Sequence, residues 1–345
     1  MNSKKIFLTI ITVIVIIAIA VILIGGYFLW QKQKEPQKEY TGSVETVRIA
    51  LTKSVPELSS LIWIADANGY FKDEGLNIII TQETNGVVAQ EKVASGDADI
   101  AVDSDFGFVG DSFTMDNLKI LASIDDAKII DILARRDKGI SVPADLKGKK
   151  IGVTPKLTTE FFFYQFLIAN DILPSQVTII SMPLADQQKA LLTGEVDAVS
   201  TTDPYTSSIK NALGANGIDW PAQGVQTIPW LVISSDQFLG SHPETIVRFL
   251  KSVVTAENFL KANPEKAKQV IIKRLAEDPN YFNNNWSKHN FNIALSQSLL
   301  ITMESEARFK IASKLTDKAI IPNYLNFIYF DALDKVKPDA VTIIH

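Results

Sequence analysis

Polar side chains that could hold a small molecule follow several short apolar runs in the 345-residue sequence. Hydroxyl, amide and carboxylate groups bind ligands through hydrogen bonds and charge, and without an activating base they are weak nucleophiles. The pattern therefore indicates ligand capture rather than bond breaking. The candidate contacts are Ser54, Asn85, Asp103, Ser104, Thr158, Thr159, Asp203 and Tyr205.

Each of these side chains has a structural alternative. Ser, Asn and Asp are favoured N-cap residues, so several candidates could simply cap the helix that follows them. For Ser54 and Asn85 both roles stay open on the sequence alone. Tyr205 and Trp230 could stack against a ring or belong to the core, and Lys156 is expected to be a solvated loop residue.

Acidic candidates would set the charge of a shared site. If Asp103, Asp105 and Asp203 all line one cleft, the negative charge would disfavour an anionic solute. A cationic or amine-bearing solute, or a heterocycle rich in hydrogen-bonding groups, would fit better. Helix capping by any of the three is again the alternative.

Composition disfavours enzyme chemistry. The chain has no cysteine, which removes thiol catalysis, Cys-type metal sites and lipidation of an N-terminal cysteine. Its three histidines are scattered, and no phosphate-binding or dinucleotide-binding glycine motif is present. The formal net charge of −5, without a long basic run, argues against nucleic acid as a partner. We therefore expect a binding protein for a small-molecule solute, with no catalytic residues, metal or cofactor.

Apolar runs alternate with helical patterns from residue 45 onward, which is typical of βαβ units with a largely parallel sheet. Ligands of such sheets bind beyond the carboxyl ends of the strands, where the candidates lie. Residues 95–101 and 193–199, 98 positions apart, share a helix end, a glycine, an acidic turn and a short apolar run. Two halves built on one plan are therefore predicted, with a chance match as the alternative.

The N-terminal residues 6–30 contain no charged side chain. A helix of this length would measure roughly 37 Å and could cross a hydrocarbon core of ~30 Å. We interpret residues 1–5 as a flank, 6–30 as a transmembrane anchor and 31–45 as a linker, with the body outside the cytoplasm. A cleaved signal peptide is the alternative, because Ala18 and Ala20 could mark a cleavage site.

Three motifs of the body resemble the solute-binding proteins of ABC importers, in the nitrate, sulfonate, taurine and thiamine-precursor (SsuA/THI5-like) group. They are GYFKDEGL at residues 69–76, DLKGKKIGV at residues 145–153, and GEVDA at residues 194–198 followed by Asp203-Pro204. The order and spacing of the motifs make the resemblance specific, and it extends over about residues 47–276. The sequence departs from the group at Lys156, where glycine is common, and at Thr202, where an aromatic residue is frequent.

The resemblance implies an α/β fold of the two-lobed, type II periplasmic-binding-protein kind, in which hinge strands join the lobes. Lobe 1 would comprise residues 46–140 and 233–345, and lobe 2 residues 141–232. Thr158 and Thr159 match small-hydroxyl positions of the group, which favours ligand contact there. The implied protein is an extracytoplasmic receptor that traps a small organic solute by hinge closure and delivers it to ABC permease transmembrane subunits. We expect it to be a monomer held at the cell membrane by its N-terminal helix.

Two other functions are compatible with this fold. One is a THI5-like enzyme of pyrimidine or thiamine-precursor metabolism, although the Cys-rich motif of that branch is missing here. The other is a ligand-sensing module for a membrane partner.

Overall fold

The computed structural model describes residues 40–53 and 55–344, and residues 43–345 form one compact unit. The predicted anchor at residues 6–30 and the candidate Ser54 lie outside the described residues. Among the helices that are described, none is both long enough and apolar enough to span a bilayer.

Two five-stranded sheets form the framework. In chain order the strands are β1 (Glu45–Thr52), β2 (Leu76–Glu83), β3 (Ile100–Ser104), β4 (Leu118–Ala127), β5 (Ile130–Arg135), β6 (Lys150–Val153), β7 (Thr178–Ser181), β8 (Ala198–Thr202), β9 (Gly217–Pro221) and β10 (Ile228–Ser235). The first sheet has the order β2-β1-β3-β10-β4 and the second β7-β6-β8-β5-β9. In each sheet three neighbouring strands are parallel, and an antiparallel strand follows on one side.

Helices connect the parallel strands, and most of the chain after the last strand is helical. The α-helices are α1 (Ser60–Ala67), α2 (Tyr70–Asp73), α3 (Gly86–Ser95), α4 (Asp105–Asp111), α5 (Thr158–Ala169), α6 (Leu184–Thr193), α7 (Tyr205–Leu213), α8 (Asp236–Ser241), α9 (Pro243–Ala262), α10 (Pro264–Leu275), α11 (Pro279–Asn285), α12 (Gln297–Ala312) and α13 (Phe330–Val336). The central strands are buried on both faces because helices cover them, which explains their continuous apolar runs.

The two halves repeat one plan down to single hydrogen bonds. The helices α3 and α6 end at Gly96 and Gly194, whose φ angles of 83° and 79° are left-handed. In the first half the Asp99 carboxylate then accepts a hydrogen bond from the backbone N–H of Arg48, at 2.7 Å. In the second half Asp197 accepts the equivalent bond from Lys150, at 2.9 Å. The internal repeat predicted from the sequence is therefore present.

The chain enters the second sheet between Ala127 and Ile130 and returns to the first between Pro221 and Ile228. Residues 130–135 thus pair in the second sheet, although the predicted lobe boundary assigned them to lobe 1. Residues 228–232 pair in the first sheet, although they were assigned to lobe 2. The difference arises because the DLKGKKIGV motif marks the parallel strand β6, whereas no motif marks the antiparallel strand β5 that precedes it.

Candidate functional site

The candidate site lies where the parallel strands of the two sheets end and their side chains meet. Phe106, just after β3, contacts Phe161 in the first turn of α5, and their ring centroids are 5.9 Å apart. Phe309 of α12 closes the group, 5.3 Å from Phe161 and 5.6 Å from Tyr164. We call these rings, with Phe162, the aromatic cluster, and the region around it the inter-sheet site. Large rings at this position exclude water and favour a ligand with an apolar or planar part.

On the second-sheet side of the inter-sheet site, buried hydroxyl groups lack hydrogen-bond partners among the described residues. Thr159 lies in the first turn of α5, Thr201 and Thr202 end β8, and Thr206 lies in the first turn of α7. Burying a hydroxyl without a hydrogen bond costs about 1–3 kcal/mol in proteins. A bound polar molecule would supply the partners that the protein does not.

A second group of buried charges joins the two sheets near the strand crossings. Lys288 donates to Asp203 at 2.7 Å and to Asp131 at 3.2 Å. Burial lowers the pKa of Lys288, but the two carboxylates together raise it above its ordinary value. His289 contacts Asp125 at 2.6 Å, and this carboxylate outweighs burial and raises the pKa of His289. We call Asp125, Asp131, Asp203, Lys288 and His289 the hinge cluster.

In a third group, carboxylate oxygens lack, within the described part of the chain, the hydrogen-bond partners that those of the hinge cluster have. Asp105 accepts from the backbone N–H of Phe106 through Oδ1, but its Oδ2 has no partner among the described residues. Both carboxylate oxygens of Glu306 are likewise unpartnered. Burial raises the pKa of each well above its ordinary value; repulsion from Asp126 and Asp103 adds to this at Asp105, and repulsion from Asp105 adds to it at Glu306. We call these two residues, with Asp111 and Lys310, the acidic cluster.

Lys310 is the base of the acidic cluster. Its ammonium lies 3.4 Å from the centroid of the Phe106 ring, a cation–π arrangement. Burial lowers the pKa of Lys310 to about 8, although the four acids around it act in the opposite direction. The acidic cluster and the aromatic cluster are therefore continuous through Phe106 and Phe309.

The Asp103 side chain contacts residues of α3 and α4, the helices on either side of β3 along the chain. Its carboxylate accepts from Gln90 Nε2 at 2.8 Å and packs against Gly86 and Gly107. A Cβ on Gly86 would lie 1.8 Å from the Asp103 Cγ, so only glycine fits there. Burial nevertheless raises the pKa of Asp103 to about 6.

The remaining candidates from the sequence differ in role: some cap helices, some are half-buried at helix starts, and one belongs to the core. The Asn85 side chain accepts from the N–H of Val88 at 3.0 Å and caps α3, and Ser104 accepts from Gly107 at 3.2 Å and caps α4. Thr158 and Tyr205 are half-buried at the starts of α5 and α7. The Trp230 indole is buried and donates to Ser59 at 3.1 Å, so it belongs to the core.

Sequence reasoning missed Lys288, Glu306, Phe309 and Lys310. These residues lie in the C-terminal third, far along the chain from the strand ends that they contact. One weak signal was present: Glu306 and Lys310 are charged residues i and i+4 on the face of α12 that also buries Met303 and Ala307.

A groove of about 570 Å³ opens beside the hinge cluster. Its walls include Asp126 near the end of β4, Thr227 just before β10, His289 and Asn290, and Thr302 of α12. Asp126 also repels Asp105, so the groove approaches the acidic cluster along α12.

No group of acidic or histidine side chains in the described part of the chain is arranged to hold a metal ion.

The family model described as NMT1/THI5 like matches residues 59–267, well over half of the chain. The chain belongs to the NMT1/THI5-like family. A putative aliphatic sulfonates-binding protein of Bacillus subtilis is 27% identical over 291 residues, which covers 80% of this chain and 84% of that protein. A putative binding protein of Brucella abortus is 26% identical over 230 residues, or 64% of this chain and 69% of that protein.

Solved structures share the fold of this family member. The periplasmic aliphatic sulphonate binding protein of Escherichia coli matches with a TM-score of 0.70 and 15% identity, covering 83% of this chain and 98% of that chain. A putative periplasmic sulfonate-binding protein from Methylobacillus flagellatus matches with a TM-score of 0.71 and 16% identity, covering 88% and 98%. The two-sheet α/β fold of the periplasmic-binding-protein kind, predicted from the sequence, is confirmed.

Proposed function

We propose that the chain is the extracytoplasmic solute-binding receptor of an ABC importer and captures a small organic solute between its two sheets. The observation that carries this proposal is the set of buried polar groups without partners on both sides of the inter-sheet site, beside an aromatic surface. A solute there would contact both sheets at once. Its binding would therefore favour the closed arrangement that a permease recognises.

The named relatives support a binding function. Those of Bacillus subtilis and Brucella abortus are named as binding proteins. A Saccharomyces cerevisiae relative that is 24% identical is named as a pyrimidine phosphate synthase, which keeps an enzyme on this fold as the alternative. Receptor and enzyme differ in one measurable respect, because a receptor releases the bound molecule with its mass unchanged.

Substitution of the buried threonines whose hydroxyls lack hydrogen-bond partners among the described residues tests where the solute binds. The full chain is stripped of bound molecules by unfolding, dialysis and refolding, and small molecules from its native cells are then added. We expect a rise in melting temperature that follows mass action. The double variant Thr159→Val and Thr206→Val should lose most of this rise. The control Thr193→Val, at an exposed helix end, should keep it. An equal response of both variants would place the solute elsewhere.

We also propose that residues 6–30 anchor the receptor in the cell membrane and raise its concentration near the permease. Cell fractionation and the intact mass of the protein test this point together. A full-length chain retained in the membrane after an alkaline wash supports an anchor. A chain shortened near Ala20 and found in the soluble fraction supports a cleaved signal peptide.

A further inference from the structure

The carboxylates of the inter-sheet site divide into matched and unmatched groups. In the hinge cluster Lys288 and His289 lie within 3.2 Å of Asp131, Asp203 and Asp125. In the acidic cluster Lys310 lies near the carboxyl groups of Asp105, Asp111 and Glu306, and Asp103 outside the cluster adds a fourth acid. Acid therefore exceeds base around Lys310, inside the fold and not at its surface.

The excess is concentrated on Asp105 and Glu306. The two residues are 0% and 1% exposed, and three of their four carboxylate oxygens lack a hydrogen-bond partner among the described residues. They come from separate elements, α4 and α12, so no single turn of chain forces them together. A buried carboxylate without a partner is unfavourable unless a proton or a cation compensates it.

The surroundings of the pair favour a cation over a proton alone. Phe106, next to Asp105, already presents its ring face to an ammonium group, that of Lys310. Phe309 follows Glu306 by three residues on α12, and its ring contacts Phe161 across the sheets. Aromatic ring faces attract cations, and nearby carboxylates favour the charged form of an amine. The unpartnered hydroxyl of Thr159, two residues before Phe161, adds a hydrogen-bonding group from the second sheet.

We propose that the solute is an organic cation, such as an amine or an amidine, whose charged nitrogen binds between Asp105 and Glu306. Its apolar part packs on Phe161 and Phe309. This assignment rests on the proposed receptor function and adds the charge of the solute to it. It separates the chain from relatives that are named for sulfonates, because a sulfonate would meet unbalanced carboxylates here.

The test divides the small molecules of the native cells by charge. An extract is separated at pH 7 into fractions retained by a cation exchanger, retained by an anion exchanger, and retained by neither. Each fraction is added to the stripped full chain, and the melting temperature is recorded. We expect stabilisation by the cationic fraction. Stabilisation by the anionic or neutral fraction alone overturns this inference but keeps the receptor function, and no stabilisation by any fraction overturns both.

Two variants on one helix then locate the charged nitrogen. Glu306→Gln should weaken binding of the cationic fraction at least tenfold, measured as the dilution that gives half-maximal stabilisation. Glu304→Gln, which removes an exposed carboxylate paired with Arg308 on the same helix, should leave it unchanged. If Asp105 and Glu306 merely share a proton, Glu306→Gln binds as the native chain does, and the inference fails. Asp105→Asn provides the same readout should Glu306→Gln fold poorly.

Discussion

Asp105 and Asp203 occupy equivalent places in the two halves of the molecule. Each directly follows the last residue of the third strand of its half, Ser104 in β3 and Thr202 in β8. They are 98 positions apart, which is the offset of the internal repeat. Their surroundings nevertheless differ. Asp203 receives hydrogen bonds from Lys288 and Ser207, while one oxygen of Asp105 has no partner among the described residues.

The C-terminal third of the chain creates this difference. It brings a lysine, Lys288, to the acid of the second half and a glutamate, Glu306, to the acid of the first. A repeated framework thus carries two acids with separate roles: one is neutralised within the protein, and the other stays available. The position of a carboxylate at a strand end therefore does not determine its role. The residue that packs against the carboxylate determines it.

Removal of Lys288 should have the largest effect on this arrangement. Lys288→Met leaves Asp131 and Asp203 buried without their cation, so we expect the free energy of unfolding to fall by about 3–5 kcal/mol. Urea denaturation at pH 7 measures the change. The control Lys335→Met removes an exposed ion pair with Glu244 and should cost less than about 1 kcal/mol. Equal losses in both variants would show that the hinge cluster is not a structural unit.

Glu306→Gln should act in the opposite direction on the solute-free protein. It removes a buried carboxyl group that has no hydrogen-bond partner among the described residues and is repelled by Asp105, so we expect a gain of about 1–3 kcal/mol at pH 8. A gain in stability together with a loss of solute binding would mark Glu306 as a residue kept for binding. A loss of stability would instead place Glu306 with Lys288 among the structural charges.

The pH dependence of stability should reveal the acidic cluster directly. Burial raises the pKa of Asp111 from 3.8 to about 7, so the folded state holds this proton up to a higher pH than the unfolded state. The contribution of Asp111 is fully present below pH 4 and is lost as the pH rises through 7. Partial exposure limits the loss to about 2 kcal/mol.

Asp111→Asn isolates this contribution. Denaturation of the native chain and the variant between pH 4 and pH 8 should show a difference that grows with pH in favour of the variant. The range stops at pH 8 because Lys310, with a pKa of about 8, is half deprotonated there and loses most of its remaining charge above it. A difference that is constant with pH would mean that Asp111 does not titrate within the fold.

The sequence predicts the framework better than the site for a physical reason. Gly96 and Gly194 end their helices through their own backbone conformation, and the glycine with the acidic turn after it recurs in both halves, so the pattern reveals them. The partners of a strand-end acid come from wherever the chain returns, and Glu306 lies 201 positions after Asp105. A pairing of charges between residues so far apart in the chain produces no local sequence pattern that could reveal it. The predicted contacts therefore lie in the loops around the candidate site, but they do not include Glu306 and Lys310, which set its balance of charge.

Asn85 provides the smallest and most discriminating change. Its side chain caps α3, so Asn85→Ala should cost about 1 kcal/mol of stability. Asn85→Ser keeps a capping oxygen and should restore that loss, yet it removes the amide that would reach a solute. If Asn85→Ser binds the solute with native affinity, Asn85 serves the helix alone. If stability returns while affinity stays reduced, the amide contacts the solute, and the first sheet contributes a neutral hydrogen-bonding group beside its unmatched acids.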